Sequence, residues 1–183
     1  MSFFVHGIVG GSVLVPRDLM HGGTTTGKYM ASSTSTSHPS LSHTDKIAAT
    51  WTDFLLLVGR VFLGWLLLAS GYGKLTGIAG TTAYFTSLGM SPPEFWAWFA
   101  AIAEIVLGAA LILGIATRYA ALATFVWVLV ATAIAHRYWT YPAAQQAGQY
   151  NNWLKNIAIM GGTLYVFVTG AGRYSVDAML AKR

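Results

Sequence analysis

The chain of 183 residues has no cysteine. That absence excludes disulfides, thiolate metal sites and thiol redox relays, and with them a membrane disulfide carrier. Charge is scarce as well. Only 9% of the residues are Asp, Glu, Lys or Arg, and only six are acidic, whereas a soluble domain carries about 25% charged residues. There is no phosphate-binding glycine loop and no dinucleotide fingerprint, so no nucleotide is expected. The one histidine of the apolar region, His136, stands at the end of a run, which excludes bis-histidine haem. His6, His21, His38 and His43 lack the tight spacing of a metal site, and no metal is expected. What remains is apolar: 55% of the residues are hydrophobic and the mean hydropathy is +0.54. Too few polar groups are left to wet a globular surface, so lipid must be the solvent for much of the chain.

The net charge is +5 and the pI about 9.6. The basic residues flank apolar runs, as positive-inside residues do, and form no patch for nucleic acid.

Residues 1–50 differ from the rest. Met1–Val15 lacks a basic n-region and a cleavage site, and is too short to span a bilayer. Residues 22–44 are rich in Gly, Ser, Thr and His and cannot bury a core, which predicts a disordered leader over 1–50. Met30 offers a second start, which N-terminal sequencing of the mature protein would test.

From Trp51 the pattern changes. Phe54–Tyr72, Phe95–Gly114, Tyr119–Ala135 and Trp153–Thr169 are apolar runs of about 17–20 residues, enough to cross a bilayer as helices. Strands are excluded, because the runs do not alternate and an open sheet would leave backbone groups unpaired in lipid. The expected fold is all-α: a transmembrane four-helix bundle of antiparallel, up-down topology over residues 51–178, with a cytoplasmic tail at 179–183. The turn at Thr117 and Arg118 is short enough to make the second and third spans neighbours. Residues 136–152 read as a polar and aromatic loop. Trp96, Trp98, Tyr138, Trp139, Tyr141 and Trp153 form an interfacial belt. Lys46, Arg118, Arg173, Lys182 and Arg183 gather on one side, and Lys74, Arg137 and Lys155 on the other. The bias predicts both termini in the cytoplasm of a bacterial inner membrane.

Two ionisable groups fall inside the spans. A lone charge at mid-bilayer costs about 2.5–3.5 kcal/mol or more, so Arg60 and Glu104 are expected to pair or to share a polar pocket. Such a pair either fixes helix register or marks a functional site. Glu104 is the only acidic residue within a span and the sole candidate for a buried proton carrier. A second group, Lys74, His136, Lys155 and Asn156, is expected at one rim with Asn152 and Thr132. That rim could bind an anion or a quinone carbonyl; lysines there could also simply snorkel to the headgroups.

Ser70-Gly71-Tyr72-Gly73-Lys74-Leu75, and Glu104 with Gly108, resemble the SGxxKL close of the first helix and the second-helix motif of one family of membrane proteins, the DoxX family. Leu113-Gly114-Ile115-Ala116-Thr117-Arg118 resembles its second turn, and Lys155-Asn156 with Gly161-Gly162 the start of its fourth helix. Gly170-Ala171-Gly172-Arg173-Tyr174-Ser175-Val176-Asp177 resembles its GPGRYSLD ending, with Ala171 where proline is common. The match runs in order from about residue 52 to 178 and implies a four-helix inner-membrane protein. It also implies a link to membrane oxidoreductase systems, including quinone-linked thiosulfate oxidation with a separate partner subunit.

Three functions stay open at this level: a subunit of a quinone-linked redox system, a non-enzymatic scaffold that docks membrane or periplasmic proteins, and a small-solute transporter. With so few helices and no inverted repeat, the transporter would need to form a homo-oligomer. Whether the protein is itself an enzyme is open as well.

Overall fold

The computed structural model describes residues 42–182. The first 41 residues, most of the expected leader, lie outside them. Among the described residues there are helices and no strands. In order they are α1 (Ser42–Thr76), α2 (Ile78–Ser87), α3 (Pro93–Leu113), α4 (Thr117–Ala135), a 3₁₀ turn (Tyr138–Thr140), α5 (Ala143–Thr169) and α6 (Val176–Leu180). Local sequence explains the breaks. Pro93 opens α3 at a position where no amide donor is needed, and Gly114, at φ +68°, ends it in the left-handed region. Gly170, at φ +81°, ends α5.

Among the described residues, three stretches are long and apolar enough to cross a membrane: Ser42–Thr76, Pro93–Leu113 and Thr117–Thr140. Much of their apolar surface faces outward. Phe62, Trp65, Val106 and Leu129 are all exposed, which suits lipid and not water. α5 is also long, at 27 residues, but Asn152, Lys155 and Asn156 interrupt its apolar character.

Three boundaries differ from the sequence-based expectation. α1 begins at Ser42, so residues 42–50, assigned above to the leader, are helical. Ala143–Tyr150 are helical too, because Pro142 supplies the start and Ala and Gln suit a helix interior. The expected loop thus shrinks to a few residues around the 3₁₀ turn. Asn152, Lys155 and Asn156 consequently lie inside α5 and not at its opening, where unbonded amides would have favoured an anion. At the other end of the chain, the expected tail from residue 179 begins within α6.

α1 packs chiefly on α3, and α4 on α5. The α1–α3 contact is made by glycines. A Cβ on Gly64 would stand 2.5 Å from the carbonyl oxygen of Gly108, and one on Gly71 would stand 2.8 Å from that of Ala101. The two helices therefore run in opposite directions with their backbones in close approach. Gly64→Val is expected to push them apart and lower stability by about 1–3 kcal/mol, read as a lower thermal unfolding midpoint in detergent; an unchanged midpoint would contradict this packing.

Beyond that seam lies a cluster of Leu67, Leu111, Ala121, Val128, Ile159 and Val166. Buried threonines share the interior. Thr132 and Thr163 turn their hydroxyls back to the carbonyls of Val128 (2.6 Å) and Met160 (2.8 Å), which satisfies them within their own helix.

One end of the molecule is closed by charges on helix termini. Arg60 is fully buried. Its guanidinium donates to the carbonyl oxygens of Leu111 (3.0 Å) and Ile112 (3.4 Å), in the last turn of α3, and of Tyr174 (2.6 Å). A helix C-terminus offers unpaired carbonyls and partial negative charge, so a cation is well placed there. Arg118 does the same for α5, donating to the carbonyls of Phe167 and Val168. At the start of α4 the sign reverses. Asp177 accepts from the amides of Ala116 (2.7 Å) and Thr117 (2.8 Å), and so holds Ala116 in its left-handed conformation at φ +45°. Ser175 caps α6 by accepting from Ala178 N–H at 3.1 Å, and Asp53 accepts from Arg173 N–H at 2.8 Å. The segment from Gly170 to Asp177 thereby fastens α1, α3, α4 and α5 together.

Burial pushes the Asp177 carboxyl up, but backbone hydrogen bonds from Thr117 and Ala116, with the nearby Arg60 charge, outweigh it and hold the group below its ordinary value of 3.8. A carboxylate with a depressed pKa stabilises the fold above its unfolded-state pKa. That contribution is lost as pH falls through the depressed value. Unfolding midpoints should therefore fall below about pH 4, and Asp177→Asn should flatten that acid limb; an acid limb unaltered in the variant would contradict the cap.

Candidate functional site

The other end holds the second charged group. Lys74, in the last turn of α1, donates to Glu104 Oε2 of α3 at 2.6 Å and to Ser70 Oγ at 2.7 Å. Trp127 of α4 donates through Nε1 to Glu104 Oε1 at 3.4 Å. The Glu104 side chain is 9% exposed and that of Lys74 26%, so the pair is shielded on the carboxylate side and open on the ammonium side. An ammonium has three N–H donors. Two are used here, and the third is available to a ligand.

The expected pairing of Arg60 with Glu104 is corrected by this geometry. Gly64 faces Gly108 and Gly71 faces Ala101, which sets Leu68 level with Glu104 and Arg60 level with Ile112. Arg60 and Glu104 are thus about eight residues apart along the axis, or about 12 Å. Side-chain direction widens the gap. Helical side chains lean towards their own N-terminus. On helices running in opposite directions, Arg60 and Glu104 lean apart, whereas Lys74 and Glu104 lean together.

The pair lines a cavity of about 390 Å³ that also takes in His136, Trp96, Trp127 and Lys155. A smaller cavity of about 100 Å³ shares Lys74, Glu104, His136 and Lys155 with it and adds Asn156. The structure therefore brings Lys74, Glu104, His136, Lys155 and Asn156 to one place and leaves Arg60 at the opposite end. His136 Nδ1 lies 2.9 Å from Gln149 Oε1. In the neutral ring that partner keeps the proton on Nδ1 and leaves Nε2 an acceptor. Asn156 donates to Thr132 Oγ1 at 2.9 Å, and Lys155 to Asn152 Oδ1 at 3.2 Å. Asn156 is buried and ties α5 to α4, whereas Lys155 is exposed at the cavity rim.

Sequence reasoning missed three parts of this site. Trp127 reads as one more aromatic in an apolar run, and nothing in its spacing points to Glu104. α2 lies between Gly77 and Gly89 in a stretch that reads as loop; Tyr84, Phe85 and Leu88 from its end wall the cavity. The hydroxyls of Tyr84 and Tyr141 both donate to the carbonyl of Ala135, each at 2.9 Å. They satisfy the last residue of α4 and fasten the end of α2 to it. A Gly-bracketed decapeptide with two aromatics was the available signal for a short covering helix.

The family model named DoxX matches residues 55–137. The inner membrane protein YqjF of Escherichia coli K12 is 33% identical over 133 residues, covering 72% of this chain and 95% of that relative. Inner membrane protein YphA of the same organism is 31% identical over 123 residues, covering 67% and 88%. The chain belongs to the DoxX family. No solved structure matches it significantly. In this DoxX-family protein the SGxxKL segment supplies Ser70 and Lys74, and the second-helix motif supplies both the Glu104 carboxylate and the Gly108 contact that sets its height. The family match ends at Arg137, so Lys155 and Asn156 lie beyond it.

Proposed function

We propose that this protein is a bacterial inner-membrane subunit of a quinone-linked redox system, and that its cavity takes a quinone head. In this reading α1, α3, α4 and α5 cross the membrane as an antiparallel bundle. The termini lie in the cytoplasm, and the cavity opens near the outer surface. The basic residues at the clamped end support that orientation, and the two inner-membrane relatives support the location.

One observation carries the ligand assignment: the Lys74–Glu104 pair and His136, with Ser70, Gln149, Asn152 and Lys155, border a single cavity whose other walls are aromatic and aliphatic side chains. Ligand sites of this kind combine apolar walls with a few convergent polar groups. The spare Lys74 N–H can donate to one quinone carbonyl. The Lys155 ammonium is placed to help at the rim, and Trp96 and Trp127 offer faces for the ring. Glu104 is the group that can carry a proton to or from that head. The electrons come from a partner subunit.

Protein extracted gently from its own membranes should carry close to one quinone per chain, and Lys74→Met or His136→Leu should lower that yield at least tenfold. Material with neither bound quinone nor quinone-dependent activity, with or without its neighbours, would remove this reading.

A second reading, a scaffold that docks membrane or periplasmic proteins, draws on the cluster of Tyr138, Tyr150 and Trp153, whose rings lie 5.0–6.3 Å apart, beside the exposed Trp139. Co-purification that depends on Trp139 and not on Lys74 would favour it.

A further inference from the structure

The cavity has a wall that is also a lipid-facing surface. Val130 and Ile134 stand one turn apart on α4, within a membrane-crossing stretch. Both line the cavity, yet they are 47% and 38% exposed. A side chain on a span that is both exposed and cavity-lining borders acyl chains on one side and the cavity on the other. Leu88 and Met90, from the end of α2 and the turn that follows, line the same cavity and are only partly buried. The ion pair belongs to other helices than these four aliphatic side chains, Lys74 to α1 and Glu104 to α3, while His136 caps α4 two residues beyond Ile134. The cavity thus carries its ion pair on α1 and α3, and an exposed aliphatic wall on α4 and the end of α2.

We propose that the ligand enters sideways from the bilayer and is an amphipathic molecule with an aliphatic tail. The tail lies between Val130 and Ile134 on one side and Leu88 and Met90 on the other, while the head reaches Lys74, Glu104 and His136. This rests on the quinone reading and narrows it to tail-bearing quinones. A tail leaving through this gap stays in hydrocarbon, so nothing apolar is driven into water on binding.

The test compares two ligands on purified protein in lipid nanodiscs: a methoxy-substituted benzoquinone without a tail, and the same ring with a decyl tail. Ile134→Trp narrows the gap from a lipid-facing position that the fold does not need, and Ile134→Ala widens it. The expected result is that Ile134→Trp weakens the tailed ring by about tenfold, leaves the tail-less ring within about twofold, and that Ile134→Ala retains both. Binding of the tailed ring alone to the native protein, lost in Ile134→Trp and kept in Ile134→Ala, would support the same path. Equal weakening of both rings, or of neither, would overturn the side entry while leaving the head site standing. Failure of both rings to bind the native protein would overturn the quinone reading and the side entry together.

Discussion

Replacing Arg60 by methionine is expected to lower stability by about 3–5 kcal/mol, the scale seen when one partner of a buried charged network is removed. The side chain is fully buried, and its guanidinium satisfies carbonyls of Leu111, Ile112 and Tyr174. Without it, three acceptors in the closed end of the molecule lose their donor, and Asp177 loses its neighbouring positive charge. The last turn of α3 should loosen first, followed by release of the segment that leads to α6. Arg60→Lys should recover only part of the loss, because an ammonium is a point charge and cannot span carbonyls from two segments as a planar fork does. Thermal unfolding in detergent and protease access to the stretch from Gly170 to Asp177 would report both effects. A stable Arg60→Met protein with that stretch still protected would show that the clamp contributes little.

The second large effect concerns Lys74 and Glu104. Lys74→Met strands a carboxylate that is 9% exposed, with a long hydrogen bond from Trp127 as its remaining side-chain donor. Its cost should approach about 3 kcal/mol. Glu104→Gln is milder, since a carboxamide oxygen still accepts from the ammonium. The double variant should be more stable than Lys74→Met alone, giving a coupling energy of about 1–3 kcal/mol in a double-mutant cycle. Quinone retention should be lost in all three, which separates a ligand site from a register-fixing pair. Additive effects on stability would contradict the ion pair, and an unchanged quinone content would contradict its role at the cavity.

What could be read in the sequence follows from which interactions are periodic. The apolar runs have the length of a bilayer, so the long helices were legible before any contact was known. So was the gathering of Lys74, His136, Lys155 and Asn156, because each stands near the same end of its span. The partner of Glu104 was not legible. That choice depends on the height at which α1 meets α3, and height is set by Gly64, Gly71 and Gly108 through backbone contact. A helical stripe places residues on a face but says nothing of the facing helix's register.

The boundary errors have a different origin. Ser42–Thr50 and Ala143–Tyr150 are polar, and a reading based on hydropathy sees no reason for helix there. Their helicity continues from the apolar turns that follow, as each added residue extends an existing helix at little nucleation cost. The motif from Gly170 to Asp177 could be matched but not explained from sequence. Its function as a clamp appears only when Arg60, Asp53 and the α3–α4 turn are brought against it.

Infrared difference spectroscopy, recorded as a tailed quinone is added to protein in nanodiscs, addresses the ligand site most directly. The expected spectrum contains a change in the carboxylate stretching bands that disappears in Glu104→Gln and persists in Asp177→Asn. A ligand-induced spectrum identical in the native protein and in Glu104→Gln would contradict the placing of a quinone head beside the Lys74–Glu104 pair.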